Sequence, residues 1–272
     1  MKRTNPLVVA LGSFSLCGLS GAPGAPGEPG RAATGPRVEF VVPEEDAAFG
    51  GQLERYVDEA RGVVTAFFDE AFPRGFTVRV AESRAAFDKF FREKWQVAKT
   101  ECWWVAAGVA NELIMLSPRV WVKEACEHDG TDSAHVKGIV FHELVHVFHG
   151  QHNPKVEELE EIGWFVEGLA VYVSGQLDNE HRDAARECIN AATAPTQLAK
   201  AWSGPYRYGV SGSLVKYVDR TFGRKLLTEL LSVQSQDELL GRLKLTEPEL
   251  LSAWRKFALS PDQEKDEGAA RD

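Results

Sequence analysis

The segment 139–149 limits the possible folds of this chain more than any other feature of the sequence. It has the length of a three-turn helix and is apolar on nearly every side, apart from His142, Glu143, His146 and His149. A helix that is apolar all round is buried, and a buried polar group is costly unless it has a partner. We therefore expect a central, buried helix whose few polar side chains face a group that binds them.

The spacing of two of these histidines indicates a metal ion as that group. His142 and His146 are four residues apart, so their imidazoles lie one turn apart on the same helix face. Two ring nitrogens at this spacing can bind one zinc ion, and Glu143 then lies beside the open side of the metal. We predict His142 and His146 as metal ligands and Glu143 as a general base.

A third ligand is expected on the next helical segment. Residues 162–177 contain a single charged side chain among sixteen, Glu167. Burying a lone carboxylate is unfavourable unless a cation meets it, and a metal ion would be such a cation. We therefore predict Glu167 as the third ligand. The glutamate-rich run 157–161 before it is typical of a solvated connector.

Composition and charge narrow the class of protein. Hydrophobic residues make up 44% of the chain and charged residues 26%, as in globular domains. The 40 acidic and 31 basic side chains give a formal net charge of -9. An acidic protein has no long-range attraction to phosphate backbones or anionic bilayers, so nucleic acid and membrane surfaces are excluded as expected partners. No membrane span is predicted.

The N-terminal segment has the form of an export signal. Lys2 and Arg3 precede a 13-residue apolar run at 7–19, which is too short to span a bilayer. We predict a signal peptide at 1–20 and a secreted or periplasmic protein. A lipid anchor at Cys17 is the alternative, disfavoured because Leu16 replaces the small residue expected there.

The order of the remaining segments indicates an α+β protein, with a small sheet-bearing N-terminal half and a mostly helical C-terminal half on either side of the histidine-bearing helix. A Gly/Pro-rich linker is expected at 21–36, one domain at 37–260 and a charged tail at 261–272. Strands are predicted at 38–42, 76–80, 103–110 and 112–116, the last two being either two strands or one bent strand. Helices are predicted at 53–68, 85–97, 132–149, 162–176, 179–191, 211–221 and 224–233, with a final one after Thr246.

Three cysteines follow the predicted signal peptide. Cys102 and Cys126 bracket one predicted strand region and are the expected disulfide pair, which leaves Cys188 free. Since none of the three belongs to a C-x-x-C pair, a cysteine-ligated zinc site is not expected.

The motif His142-Glu143-Leu144-Val145-His146, followed 21 residues later by Glu167 in Trp-Phe-Val-Glu-Gly-Leu-Ala-Val-Tyr, resembles the gluzincin metallopeptidases. These are the thermolysin-like and aminopeptidase-like families, and the likeness is sharpest to the compact peptidase-MA-like group. The resemblance implies zinc as cofactor, a peptide or protein as substrate, and hydrolysis in a cleft between the two halves.

Further features of the gluzincins have candidates here. The resemblance implies a tyrosine or histidine that stabilises the oxyanion, for which Tyr208 and Tyr206 are the candidates. Arg207 between them is a candidate for binding a substrate carboxylate. The 103–116 region resembles the edge strand on which gluzincins bind substrate. An acidic residue that orients one ligand histidine is missing, because Ala170 and Val171 follow Glu167.

Two other interpretations remain open. His152 lies ten residues after His142, the spacing of the third ligand in metzincins, but that pattern has a glycine at the position of His149 and a downstream methionine that this chain lacks. The second alternative is a non-catalytic exported binding module that retains the fold. His128, His135 and His181 show no ligand spacing and are expected at the surface.

Overall fold

The computed structural model describes residues 35–260. The predicted signal peptide with Cys17, nearly all of the predicted linker and the predicted charged tail lie outside these residues. The predictions made for them therefore stay predictions.

A four-stranded sheet forms the N-terminal half. Its strand order is β1-β2-β4-β3, in which β1, β2 and β4 are parallel and β3 pairs antiparallel with β4. The 103–116 region is thus a hairpin of two strands, and β3 lies at the edge of the sheet. The strands are β1 (Val38–Val41), β2 (Phe76–Ala81), β3 (Ala106–Val109) and β4 (Glu112–Leu116).

Helices dominate the rest of the described chain, which confirms the predicted α+β class with a helical C-terminal half. Two of them, α3 and α9, were not predicted from the sequence, because the first is a single turn and the second is a short helix in a largely polar segment. The helices are α1 (Ala47–Phe68), α2 (Arg84–Trp95), α3 (Trp121–Glu124), α4 (Ser133–His152), α5 (Gly163–Val173), α6 (Asn179–Asn190), α7 (Arg207–Phe222), α8 (Arg224–Glu229), α9 (Gln236–Leu243) and α10 (Glu247–Ala258).

Helix α5 ends earlier than predicted. The predicted helix reached residue 176, whereas α5 stops at Val173. Gly175 then adopts φ of 82°, a left-handed conformation that glycine tolerates at the end of a helix. The chain turns there, and Gln176 leaves the helix direction.

Helix α4 is the central element, as its sequence predicts. Asp132 caps its N-terminus by accepting hydrogen bonds from the backbone N–H groups of Ala134 and His135. The helix contacts β3 so closely that a Cβ atom on Gly108 would lie 2.1 Å from the carbonyl oxygen of Glu143. Glycine is therefore required at this crossing of strand and helix. No helix among residues 35–260 combines the length and apolarity needed to cross a membrane.

The segment before β3 is fixed by a disulfide and an arginine. Cys102 and Cys126 form the disulfide expected from the sequence, and Cys188 is a buried free thiol. The Arg84 guanidinium donates to the backbone carbonyls of Cys102 at 2.9 Å and Glu124 at 3.0 Å. The disulfide and Arg84 thus hold the segment before β3 against the end of α3.

Candidate metal centre

Two helices bring the three predicted ligands together. His142 and His146 face α5 from successive turns of α4, and Glu167 on α5 faces them. Their candidate ligand atoms all lie within 4.8 Å of one another. All three side chains are buried, and His146 is the most exposed at 7%. The cluster therefore lies inside the protein and approaches solvent on the His146 side.

The two distances between the histidines and Glu167 are compatible with a shared metal ion. Nε2 of His142 lies 3.4 Å from Oε2 of Glu167, and Nε2 of His146 lies 3.2 Å from Oε1. In tetrahedral coordination with metal–ligand bonds of about 2.0–2.1 Å, neighbouring ligand atoms lie about 3.3 Å apart. The donor set of two imidazoles and one carboxylate is also one that zinc accepts.

The unsatisfied polar atoms of the cluster also fit a missing cation. Both carboxylate oxygens of Glu167 and Nε2 of His146 are buried without a hydrogen-bond partner among the described residues. Each such atom costs about 1–3 kcal/mol if nothing compensates it. A cation between the three side chains would bind all of these atoms at once, so the residues present fit a metal ion.

Without the ion, the protein's own charges partly compensate. Burial opposes ionisation of Glu167, but His146 and His142 outweigh it and hold the pKa of this carboxyl below its ordinary value. Burial lowers the pKa of His146, and the Glu167 carboxylate outweighs that effect and raises it. Glu167 and His146 are therefore set to carry opposite charges across the space between them.

Glu143 is fully buried beside the cluster. Burial raises the pKa of its carboxyl, while His146 and His142 oppose that change. Both of its oxygens are buried and make no hydrogen bond within residues 35–260, although the backbone N–H of Gly108 lies close enough to lower the pKa slightly. The carboxyl group of Glu143 is thus held next to the candidate metal site, and no side chain of the described residues forms a hydrogen bond with it.

Sequence analysis missed the side chain that contacts Nδ1 of His142. Nδ1 of His142 lies 2.7 Å from Oε1 of Gln176, and Nε2 of Gln176 donates to the carbonyl oxygen of Gly138 at 3.2 Å. The sequence left this residue unidentified, because Ala170 and Val171 follow Glu167 where the resemblance implies an acidic residue. The signal for Gln176 is the glycine before it, which turns the chain back toward α4.

Two further histidines of α4, His149 and His152, contact groups outside the cluster. Nε2 of His152 lies 3.6 Å from Oε1 of Glu70. His149 donates to the carbonyl oxygen of Leu231 at 3.1 Å, and burial lowers its pKa to about 3. His149 is thus a neutral residue that links α4 to the 3-10 helix Leu230–Ser232.

The aromatic candidates lie at the start of α7. Tyr208 is buried, and its ring packs against those of Trp202 and His181 at centroid distances of 4.9 Å and 5.9 Å. The hydroxyl of Tyr206 donates to Glu187 at 3.1 Å. Arg207 lies over the rings of Trp202 and Tyr208. These contacts place none of the three against the cluster, so their roles toward substrate stay predictions.

Three residues that the sequence placed in solvent are wholly or partly buried. His128 and His135 are not surface residues, since they form a buried pair with Nδ1 of His128 2.8 Å from Nε2 of His135. Glu157 is half-buried, and burial raises its pKa to about 7 although His146 and Lys94 oppose this. The run 157–161 is therefore not a uniformly solvated connector.

Comparison with known proteins gave one finding. A family model described as "Peptidase of plants and bacteria" matches residues 48–232, more than half of the chain. The matched range runs from α1 to the 3-10 helix Leu230–Ser232 and contains the whole cluster. Neither the curated proteins nor the solved structures gave a match.

Proposed function

Because this chain belongs to the family of peptidases of plants and bacteria, we propose that it hydrolyses peptide bonds with a zinc ion held by His142, His146 and Glu167, in the manner of the gluzincins. Membership in this family makes the protein an enzyme whose substrates are peptides or proteins. The metal, the gluzincin class and the role of each residue go beyond membership.

One observation carries the proposal. The three ligand side chains are buried with Nε2–Oε separations of 3.4 Å and 3.2 Å, and the Glu167 oxygens have no hydrogen-bond donor in the described part of the chain. Two histidines and a carboxylate would hold the ion with three protein ligands, the number that catalytic zinc sites use. When bound, the zinc ion would act as a Lewis acid toward water and the substrate carbonyl.

The chain's own residues supply the proton transfers. Glu143 follows a ligand directly in the sequence, and its carboxylate is uncommitted. We assign to it the removal of a proton from the attacking water and the return of that proton to the leaving amine. No covalent intermediate with the protein is needed.

Two further roles, oxyanion stabilisation and pairing with the substrate, are assigned from the positions of the residues. Tyr208 remains the candidate for stabilising the oxyanion, with Tyr206 as the alternative, although Tyr206 donates to Glu187. The edge strand β3 contacts α4 at Glu143, which supports its role as the strand that pairs with an extended substrate.

We also propose that the protein acts outside the cytoplasm. The predicted signal peptide is the first support. The second is the disulfide between Cys102 and Cys126, because disulfides persist in oxidising compartments.

Metal analysis combined with a peptide-library digest tests the function. We expect about one zinc ion per wild-type chain and cleavage that falls by roughly 10²–10⁴-fold in Glu143→Gln, since that is the usual contribution of a general base, with zinc retained. Glu158→Gln, a change of the same chemistry on an exposed glutamate, is the matched control. Bound zinc without cleavage by any form would favour the non-catalytic binding module.

A further inference from the structure

The side-chain amide of Gln176 lies between a hydrogen-bond donor and a hydrogen-bond acceptor, and this position fixes the orientation of the amide. One side of the amide faces the carbonyl oxygen of Gly138, at 3.2 Å. A carbonyl oxygen can only accept a hydrogen bond, so the NH₂ group of Gln176 must lie on that side. The amide oxygen then faces Nδ1 of His142, at 2.7 Å.

The amide oxygen in turn fixes the proton on the histidine. Since Oε1 can only accept, Nδ1 of His142 must carry the hydrogen. In a neutral imidazole the other nitrogen, Nε2, then keeps its lone pair. Nε2 is the atom that lies 3.4 Å from Oε2 of Glu167, on the side of the candidate metal site.

We propose that Gln176 is a positioning residue that holds His142 in the tautomer able to bind a metal. The inference deepens the proposed function and rests on it for its consequence for zinc, but the tautomer itself is a property of the metal-free protein. In the absence of Gln176, the Glu167 carboxylate would draw the hydrogen onto Nε2, where it would occupy the ligand position.

The geometry also explains why an amide rather than an acid occupies this position. A carboxylate would accept from His142 but would place its second oxygen against the Gly138 carbonyl, two acceptors without a hydrogen between them. Only a side chain that both accepts and donates satisfies both neighbours. Gly175, with φ of 82°, provides the turn that brings this side chain back to α4.

Nitrogen-15 NMR of the imidazole groups tests the tautomer directly, in metal-free protein at about pH 8.5, well above the ordinary pKa of histidine. We expect the hydrogen on Nδ1 of His142 in the wild type and a shift toward hydrogen on Nε2 in Gln176→Met. Gln176→Glu retains an acceptor at this position and is expected to keep the wild-type tautomer. An unchanged tautomer in Gln176→Met would overturn the proposal.

Zinc affinity, measured by competition with a chelator, is the second readout. Loss of an orienting partner typically weakens metal binding about 10- to 100-fold, and we expect this in Gln176→Met. Gln176→Glu should bind zinc more tightly than Gln176→Met. Methionine has nearly the shape of glutamine, so a residue that only fills space would give wild-type affinity in Gln176→Met, against the proposal.

Gln197→Met is the matched control, because Gln197 is exposed and makes no capping bond with its side chain. The two readouts also separate this inference from the proposed function. If the tautomer follows Gln176 while no form binds zinc, the positioning role holds and the zinc site fails. If all forms bind zinc equally and the tautomer does not change, the site stands and the role of Gln176 fails.

Discussion

Residues 35–260 contain two pairs of neighbouring buried histidines, His128 with His135 and His142 with His146, and the pairs differ in how their polar atoms are satisfied. In the first pair, His128 Nε2 faces the carbonyl oxygen of Trp103 at 2.9 Å and its Nδ1 faces His135 at 2.8 Å. The Trp103 carbonyl can only accept, so His128 donates to it through Nε2 and accepts a hydrogen bond from His135 at Nδ1. Each hydrogen in this series of hydrogen bonds has an acceptor, and we call His128 and His135 the closed pair.

In the second pair, which we call the open pair, a backbone carbonyl also determines which histidine nitrogen carries the hydrogen, but the series of hydrogen bonds ends at a carboxylate. Gly138 acts through Gln176 to place a hydrogen on Nδ1 of His142, and the outer nitrogens of His142 and His146 then face Glu167. Nε2 of His146 and both Glu167 oxygens have no hydrogen-bond partner among the described residues. Burial of histidines therefore does not by itself indicate a metal site, whereas buried ligand atoms that converge without hydrogen-bond partners do.

The largest test of this comparison is removal of the carboxylate. Glu167→Ala should abolish stoichiometric zinc binding, since loss of a ligand exceeds the about 10- to 100-fold effect of losing an orienting partner. The corresponding change in the other pair, His135→Ala, should leave zinc content at the wild-type level. Metal analysis after gel filtration measures both. Zinc lost from the His135 variant, with its fold intact by circular dichroism, would show that the His128–His135 pair also contributes to metal binding.

A second test concerns the response of the closed pair to acid. Burial and the neighbouring His128 lower the pKa of His135 to about 4, against the opposing charges of Asp132 and Asp129. The unfolded chain binds this proton near pH 6.5, so stability is lost as the pH falls from there to about 4 and changes no further below it.

The loss attributed to His135 should reach about 3 kcal/mol, at 1.36 kcal/mol per pKa unit. Urea unfolding at pH 7 and 4.5 measures it as the difference between wild type and His135→Leu, in which the contributions of groups that do not contact His135 cancel. Equal pH dependence of the two proteins would show that His135 is not held neutral by the fold.

Zinc should stabilise the folded protein only by binding at His142, His146 and Glu167. At a free zinc concentration about 100 times the dissociation constant, a ligand specific for the folded state adds about 2.7 kcal/mol to the free energy of unfolding. We expect this shift in thermal or urea unfolding of the wild type and its absence in Glu167→Ala. A shift that survives in Glu167→Ala would mean that zinc binds elsewhere, for example at His128 and His135.

The smallest expected effect is that of His152→Ala. The side chain contacts Glu70 and Phe148 at the end of α4, so the change should alter stability by no more than about 0.5–1 kcal/mol. Zinc affinity should equal that of the wild type. Loss of zinc from His152→Ala with retention by Glu167→Ala would instead support the metzincin arrangement.

How far the sequence predicted this site depends on the kind of signal each residue carries. Glu167 was predictable because it is a lone charge in an apolar helix, and its cost of burial demands a cation. The α+β class followed from strands preceding helices, and the disulfide between Cys102 and Cys126 from their bracketing of a strand region. These signals are local in the sequence.

Gln176 and the His128–His135 pair carry no such signal. Their partners, Gly138, His142 and Trp103, are distant in sequence or are main-chain carbonyls, which every residue possesses. Histidines without ligand spacing were therefore expected in solvent, and the orienting residue was sought beside Glu167. The parallel pairing of β1, β2 and β4 likewise depends on contacts between distant segments that periodicity does not reveal.

The glycine at the crossing of β3 and α4 has a consequence for where a substrate would be cut. Because Gly108 holds the strand against the main chain of Glu143, an extended peptide paired with β3 would advance past the base in steps of about 3.4 Å per residue. One peptide bond at a time could then align with Glu143. The register of main-chain pairing with β3 would define the scissile bond. Side-chain preferences would determine only which sequences stay bound in that register for the longest time.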